Sequence, residues 1–418
     1  MGTGGEKAIT RLPRTARGQK TLEHILRNAA EVFRERGYER ASVSAICRRA
    51  GIAQGTFYLY FANKEEVYVR LVEDLQDRLI ARLARAVGAA AAPREKLLRA
   101  YGTLLDYITE NAGTFQVFRE GEFVSPEIPM RFYGAICDEL VAVVREGVAV
   151  GDFRGVDPEV VAYAILGVVF FLALRYVMWG GRAVPKGARR VGADLIRRGI
   201  AGPRAVVDDG RRVASALAPT SPPAEEDREG AEATRRALLR AAERAFGQAG
   251  FHRTTISTIT YLAGVGQGTF YLHFPSKVAV FSELVREISR QFRHRQTLAV
   301  AGCGDRRVAE SIGLRSFLQW VRDHPGAYRI VREAEFVDEG VGRWYYERLA
   351  EGYVRGLAAG MDRGEIRRCD PEALAYALLG IAHFSGQRWA LWEKPSRPAE
   401  EVLPSLTEFI LHGVERTG

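Results

Sequence analysis

The sequence contains a nearly identical eleven-residue stretch twice, first as Gly51-Ile-Ala-Gln-Gly-Thr-Phe-Tyr-Leu-Tyr-Phe61 and, 213 positions later, as Gly264-Val-Gly-Gln-Gly-Thr-Phe-Tyr-Leu-His-Phe274. From Gln54 onward the two copies differ only where Tyr60 is replaced by His273. The same offset, without a net insertion, aligns Arg119-Glu-Gly-Glu-Phe-Val124 with Arg332-Glu-Ala-Glu-Phe-Val337, Asp157-Pro-Glu with Asp370-Pro-Glu, and Trp179 with Trp392. Solenoid repeats have periods of about 20–50 residues. The sequence therefore predicts two copies of one whole domain.

The composition is that of a globular chain without a metal or disulfide framework. Its 418 residues are 47% hydrophobic and 27% charged, so each half is long enough to bury its own core. The cysteines form no CxxC pair, and none recurs at the equivalent position of the other copy: Cys47, Cys137, Cys303 and Cys369. This usage indicates a reducing cytosol. Residues 1–7 lack the apolar core of a signal peptide. We expect a cytoplasmic protein with neither metal nor cofactor.

The net charge of +9 is unevenly distributed. Residues 1–20 carry five basic and one acidic side chain, whereas residues 214–233 carry one basic and five acidic side chains. We expect the basic arm, residues 1–20, to be disordered until it meets a polyanion. The asymmetry is either functional or a matter of linker solubility. Residues 201–230 are rich in proline and charge, which is typical of an extended linker.

Helical periodicity runs through both copies. In the first, Leu22, Ile25, Ala29 and Phe33 share one helical face, and Gly37 ends the pattern. A short helix follows Ser42, Gly51 makes a tight turn, a second short helix covers 54–61, and Asn63 begins a long helix. The rest of each half shows helical spacing broken by Gly and Pro. We predict an all-α protein with about nine helices per half, divided as 21–66 and 231–279 (helix-turn-helix domains) and 67–200 and 280–418 (helical bundles).

Residues 160–174 are uncharged and raise the alternative of a membrane helix. The equivalent segment of the second copy contains His383, Ser385 and Gln387. A fold that needs a membrane at one copy would need it at the other, so a buried helix is favoured and no membrane partner is expected.

The repeated stretch is typical of a helix-turn-helix. Phe57 and Phe61 lie four residues apart and would face the small domain, which leaves Gln54 and Tyr58 on other faces. A glutamine can read adenine, Thr or Tyr hydroxyls can hold phosphate, and Lys64 can neutralise one at a helix N-terminus. Any helical hairpin with glycine and aromatic residues can look similar, but its duplication favours DNA binding.

The two segments Thr56-Phe-Tyr-Leu-Tyr-Phe-Ala-Asn-Lys64 and Thr269-Phe-Tyr-Leu-His-Phe-Pro-Ser-Lys277 resemble the tetracycline-repressor (TetR/AcrR) family of bacterial transcriptional regulators. The resemblance implies contacts to double-stranded operator DNA from Ser42, Ser44, Gln54, Gly55, Thr56, Tyr58, Tyr60 and Lys64, and from Thr255, Ser257, Gln267, Gly268, Thr269, Tyr271, His273 and Lys277. Members of the family bind palindromes as homodimers, whereas here two copies share a chain. We expect the halves to pair within the chain as a pseudo-dimer on an imperfect palindrome. A homodimer of tandem chains, or a regulator in which only the first half reads DNA, are the alternatives.

The resemblance also implies a pocket for a small-molecule effector in each bundle, and a repressor that the effector releases. The candidate ligand residues are Tyr101, Glu122, Tyr163 and Arg175 in the first half, and Glu335, Tyr376, His383 and Arg388 in the second. Five of the eight have an alternative role. For Glu122 and Glu335 it is a helix end at which one of two neighbouring glutamates is buried and paired and the other is solvated. The two arginines are alternatively structural ion-pair partners or interface groups, and His383 is a core histidine. The apolar 160–174 segment indicates a lipophilic effector. We find no nucleophile–base set, phosphate loop or metal-ligand spacing, so an enzyme is not expected.

Overall fold

The computed structural model describes residues 15–123, 125, 127–205, 230–392 and 397–416, and these form eighteen α-helices, nine in each half. The first half contains α1 (Ala16–Arg40), α2 (Val43–Ala50), α3 (Gln54–Tyr58), α4 (Lys64–Gly88), α5 (Pro93–Glu110), α6 (Ala112–Glu120), α7 (Glu127–Ala149), α8 (Pro158–Ala173) and α9 (Lys186–Arg198). The second contains α10 (Ala231–Ala249), α11 (Ile256–Ala263), α12 (Gln267–His273), α13 (Lys277–Val300), α14 (Arg306–Asp323), α15 (Pro325–Val337), α16 (Glu339–Asp362), α17 (Pro371–Gly386) and α18 (Ala399–His412). The predicted all-α fold is confirmed.

We call α1–α3 the first reading head and α10–α12 the second. Local sequence sets their boundaries: the hydroxyls of Ser42 and Thr255 accept backbone N–H bonds at the starts of α2 and α11. Gly51 and Gly264 end those helices in the left-handed region, with φ of +64° and +71°, as the turn requires.

The halves pack against each other mainly through α8 and α17. The two helices cross at Gly167 and Gly380, where a Cβ atom on Gly167 would lie 2.3 Å from the carbonyl oxygen of Gly380. Among the described residues, one helical segment, Pro158–Met178, is long and apolar enough to cross a membrane, but 89% of its most apolar window is buried inside the protein. The structure therefore has the buried helix that comparison of the two copies of the repeat favoured.

The last helices of the two halves exchange backbone hydrogen bonds. The N–H groups of Ile200 and Ala201, just after α9, donate to carbonyls of α18, Ile410 and Leu411 respectively, both at 2.9 Å. Reciprocally, the N–H of Val414 donates to the carbonyl of Ile196, in α9, at 2.9 Å. Each helix end thus has its unpaired carbonyls satisfied by the other half.

Three boundaries differ from the sequence-based expectation. The helix ends at Gly199 and Gly413 are 214 positions apart, so the last helix of the second half contains one inserted residue. Helix α1 begins at Ala16, so the end of the predicted disordered arm is helical; residues 1–14 lie outside the described residues. Within the predicted linker, Gly202 N–H donates to the carbonyl of Glu365, and the guanidinium of Arg307 donates to two carbonyls of 204–205. The linker's first residues are therefore bound to the second half, while residues 206–229 lie outside the described residues.

The substitution Gly167→Leu should destabilise the protein by about 3 kcal/mol, the upper range for overpacking, because the new side chain meets backbone that cannot move aside. Urea unfolding would measure the loss. The control is Gly134→Leu on α7, where a Cβ meets no atom within 4 Å. Equal unfolding free energies for the two variants would contradict the backbone contact between α8 and α17.

Candidate DNA-binding heads and effector cavity

The reading heads present the repeated side chains outward from a fixed aromatic base. Phe57 and Phe61 are buried, at 0% and 1% exposure, and so are Phe270 and Phe274 in the second head. They anchor α3 and α12, so that Tyr58 and Tyr271 are about half exposed, at 52% and 57%. The structure thus confirms the predicted faces of α3 and α12, with the phenylalanines inward and the tyrosine exposed.

The sixteen predicted DNA contacts show the same exposure pattern in both heads. The exposed members are Ser42, Ser44, Gln54, Gly55 and Tyr58, with Thr255, Ser257, Gln267, Gly268 and Tyr271. The half-buried members are Thr56, Tyr60 and Lys64, with Thr269, His273 and Lys277. Within the first head, the side-chain amide of Gln54 donates to the hydroxyl of Ser44 at 3.1 Å, which orients one polar cluster on the outer surface.

The two predicted phosphate lysines also have structural partners. The ammonium of Lys64 donates to the carbonyl oxygens of Tyr38, Glu39 and Ala41, at 2.9, 3.1 and 3.3 Å. That of Lys277 donates to the carbonyls of Phe251 and Thr254, at 2.8 and 2.7 Å. These bonds satisfy carbonyls at and just beyond the end of the first helix of each head. The phosphate contact of either lysine stays a prediction.

A carboxylate, half-buried in the first half and buried in the second, joins each head to its bundle. Glu120, at the end of α6, accepts from the backbone N–H of Tyr38 at 2.7 Å, and Glu333 on α15 accepts from that of Phe251 at 3.0 Å. Burial raises the pKa of both carboxyls. The absence of a side chain at Gly37 leaves room for the Glu120 carboxylate to bond to the Tyr38 N–H, because a Cβ at position 37 would lie 3.0 Å from a Glu120 oxygen.

Next to these joints, two reciprocal pairs of buried charges connect the halves. Arg119 donates to both carboxylate oxygens of Glu335, at 2.9 and 2.6 Å, and Arg332 donates to one oxygen of Glu122. All four side chains are 9–11% exposed. Burial disfavours the charged form of Arg119, but the Glu335 carboxylate more than offsets this and raises the pKa of Arg119. The two ion pairs are related by exchange of the halves, because Arg332 and Glu335 are the repeat counterparts of Arg119 and Glu122.

A second reciprocal set lies further along the interface. Arg175 donates to Glu372 at 2.9 Å, and Arg388 donates to Glu159 at 2.7 Å. Their role as ion-pair partners between the halves was one of the two alternatives that the sequence left open for these arginines.

The bundle of the second half contains a cavity of about 510 Å³ between α13, α14, α16 and α17. Its walls are largely apolar, with Phe292, Phe317 and Leu378 among them, and Phe171 enters from the first half. Of the eight ligand candidates only His383 lines it. The His383 ring bonds to the Tyr328 hydroxyl through Nδ1, at 2.8 Å, and burial with two nearby arginines lowers its pKa well below the usual value.

The other seven candidates have protein partners elsewhere. Glu122, Glu335, Arg175 and Arg388 form the interface ion pairs described above. The Tyr101 hydroxyl donates to the Arg189 carbonyl at 3.0 Å and fixes α9 on α5. The rings of Tyr163 and Tyr376 pack against the tryptophans of the opposite half. None of the seven lines the cavity.

The polar residues of the cavity were not among the candidates. Gln296, Glu310 and Tyr353 line it, and the Tyr353 hydroxyl donates to Glu310. A comparison of the two copies could have identified these three residues, because the equivalent residues of the first half are all leucine: Leu83, Leu97 and Leu140. Where one copy has a buried leucine and the other has a polar residue at the equivalent position, the polar residue is expected to have a role other than packing in the core.

The fold and the heads together define a helix-turn-helix DNA-binding protein with helical regulatory bundles. Residues 25–71 and 238–284 match the family described as "Bacterial regulatory proteins, tetR family", and residues 90–200 match "Tetracyclin repressor-like, C-terminal domain". The chain therefore belongs to the tetracycline-repressor family, as a tandem duplication. The family consists of transcriptional regulators, in agreement with the expectation that the chain is not an enzyme.

Several relatives are regulators of known class. The transcriptional activator FasR of Mycolicibacterium smegmatis is 30% identical over 123 residues, which are 29% of this chain and 54% of FasR. The fatty acid metabolism regulator of Bacillus subtilis is 40% identical over 73 residues, 18% of this chain and 38% of that protein. The matched regions thus span about half or less of these two relatives. FadR from B. subtilis, solved in complex with stearoyl-CoA, has 23% identity and a TM-score of 0.38, covering 41% of this chain and 96% of FadR.

The buried pairs give a stability prediction. Arg119→Met leaves Glu335 charged and buried, which should cost about 3–5 kcal/mol of unfolding free energy. The exposed pair Arg343–Glu347 on α16 supplies the control, since Arg343→Met should cost at most about 0.5 kcal/mol. Urea unfolding measures both. The double variant Arg119→Met with Glu335→Met should be more stable than Arg119→Met alone, and the reverse order would show that the buried charge is not the cause.

Proposed function

We propose that the protein is a sequence-specific transcriptional regulator whose two halves act as a single-chain pseudo-dimer. The observation that carries the proposal is the reciprocity of the central interface, in which the pairs Arg119–Glu335 and Arg175–Glu372 and the end-of-helix backbone bonds all recur under exchange of the halves. A symmetric interface of this kind is what a homodimer uses. Here it joins two covalently linked reading heads whose predicted contact residues are exposed in the same pattern.

The operator of such a protein is an imperfect palindrome. Six of the eight predicted contact positions carry the same residue in both heads, and the exceptions are Ser42 with Thr255 and Tyr60 with His273. Two nearly identical heads read nearly identical half-sites, about one DNA turn, or 34–36 Å, apart. The basic residues of 1–20 add a contact to one half-site only, in the minor groove.

We propose that the protein represses and is released by a lipophilic effector with an anionic headgroup. The apolar walls of the cavity support a lipophilic body. Four arginines line the same cavity against two glutamates, which gives the lining an excess of positive charge: Arg293, Arg306, Arg348 and Arg355, against Glu310 and Glu351. The name of the B. subtilis fatty acid metabolism regulator agrees with this class of effector. The protein would act in the cytoplasm, at the nucleoid.

The pseudo-dimer predicts a particle near one chain mass, 46.4 kDa, for the free protein, and one chain per operator in the complex with DNA. Light scattering on a sizing column measures the free mass, and native mass spectrometry measures the chains per DNA. Two chains per particle in the free protein and two chains per operator in the complex would instead establish a homodimer of tandem chains with four reading heads.

Both heads should contribute to DNA affinity. The double variants Gln54→Ala with Tyr58→Ala, and Gln267→Ala with Tyr271→Ala, remove exposed side chains and leave the aromatic base intact. Each should weaken binding to an operator selected from random DNA by about 10- to 1,000-fold. Loss of one head's phosphate contacts should also reduce the slope of log affinity against log salt.

The control for the heads is Arg145→Ala, an exposed charge near the C-terminal end of α7, which should leave affinity and slope unchanged. If the second-head variant behaves like this control while the first-head variant fails to bind, only the first half reads DNA. If neither variant differs from the control, the heads are not the DNA-binding surface.

A further inference from the structure

The cavity of the second half has no counterpart in the sequence of the first. The polar lining positions Gln296, Glu310 and Tyr353 correspond to leucines that are fully buried in the first bundle, at 0–2% exposure: Leu83, Leu97 and Leu140. His383 corresponds to Phe170, whose ring packs on Phe115 at 6.1 Å between centroids. The helices α5 and α14 have equivalent bounds, as do α8 and α17, so the correspondence holds residue by residue. Apolar side chains therefore occupy the space that the second half leaves open.

The cationic lining is also confined to the second half. The four arginines correspond to uncharged residues in the first half: Ile80, Pro93, Ala135 and Ala142. An anionic headgroup would meet two to four guanidinium groups at the second bundle and none at the equivalent positions of the first. Both the space and the charge that such an effector needs are thus present in the second bundle and absent from the equivalent positions of the first, within the residues that the structure describes.

The cavity shares its wall with the interface between the halves. Phe171, Tyr346 and His383 line the 510 Å³ cavity, and they also line a small chamber around the interface charges Arg119, Glu122 and Arg332. A molecule that moves these side chains acts on the charges of both halves at once. Phe171 itself belongs to α8 of the first half.

From the interface charges a short covalent path reaches each head. Glu122 lies two residues after Glu120, the carboxylate that holds the first head through Tyr38. Arg332 immediately precedes Glu333, which holds the second head through Phe251. The pair Arg332–Glu122 therefore joins the segments that carry the two head joints.

We propose, on the basis of the function proposed above, that the second half alone senses the effector and that one bound molecule repositions both heads. In the first bundle, apolar side chains fill the space equivalent to the cavity. Its head moves in response to changes that are transmitted through the interface between the halves. The ligand is an anionic amphiphile with one long apolar chain, and each protein chain binds one molecule.

Gly313 offers a variant that fills the cavity without disturbing the fold. It lines the cavity in the middle of α14, and a Cβ atom there meets only Gln296 and Val300, at 3.6 and 3.8 Å, which is ordinary contact. Gly313→Leu therefore places its side chain in the cavity and replaces a poor helix former with a good one. The matched control is Gly102→Leu on α5, the equivalent helix of the first half, where a Cβ meets no atom within 4 Å.

The experiment uses stearoyl-CoA as the probe and the full chain. Native mass spectrometry should find one bound molecule per chain, and Gly313→Leu should weaken binding by about tenfold or more, whereas Gly102→Leu should not. Hydrogen exchange is followed at 36–41 and 249–254, which contain the amides of Tyr38 and Phe251. The probe should change exchange in both segments of the wild-type chain and in neither segment of Gly313→Leu.

Each other outcome contradicts a definite statement. Two molecules per chain, or binding that survives Gly313→Leu, would overturn single-site sensing while leaving the effector class intact. A change confined to 249–254 would overturn control of the first head from the second half. Failure of the wild-type chain to bind the probe would contradict the effector class proposed above, and this inference with it, while the DNA-binding test of the heads would stand.

Discussion

The contact between Gly167 and Gly380 is the constraint on which the rest of the structure depends. With no side chain at either residue, the backbones of α8 and α17 touch, and the long apolar faces of both helices are buried along their length. Close approach at this point places the other interface groups within bonding distance. The buried Arg–Glu pairs, the second set of ion pairs and the exchanged helix ends all require this separation. A side chain at Gly167 or Gly380 would push the two helices apart and separate all of these interface groups at once.

The buried charges contribute alignment more than stability. A buried ion pair recovers little beyond its own desolvation cost, but a misaligned one leaves charges unpaired, which costs several kcal/mol. Because each half supplies one arginine and one glutamate, a single symmetric docking satisfies all four groups. The same pairs could form between two separate chains. Covalent linkage favours the intrachain partner, since it presents the second half at an effective concentration in the millimolar range.

The repeat made the heads predictable, while the cavity depended on contacts that the repeat does not encode. Phe57, Phe61 and the turn at Gly51 recur in both copies and have local causes, namely helical spacing and a left-handed backbone. Arg175 and Arg388 recur too, but their partners lie about 200 residues away in the sequence, so ion pairing and ligand binding stayed open. The candidates were chosen as polar residues in apolar helices. At a symmetric interface such residues pair with the opposite half, and this is where most of them lie.

Duplication within one chain removes a restriction that a homodimer cannot escape. In a homodimer each residue of the bundle occurs twice, so a cavity in one subunit is a cavity in both. In the fused chain the first bundle can be filled with leucine and phenylalanine while the second keeps its open, arginine-lined site. Filling recovers the stability that an empty cavity costs, about 20–25 cal/mol for each Å³. Under the proposed function the heads read two similar half-sites and gain nothing from divergence at the DNA, and six of the eight predicted contact positions carry the same residue in both heads. The two halves thus differ widely in the bundle residues around the cavity and little in the head residues proposed to contact DNA.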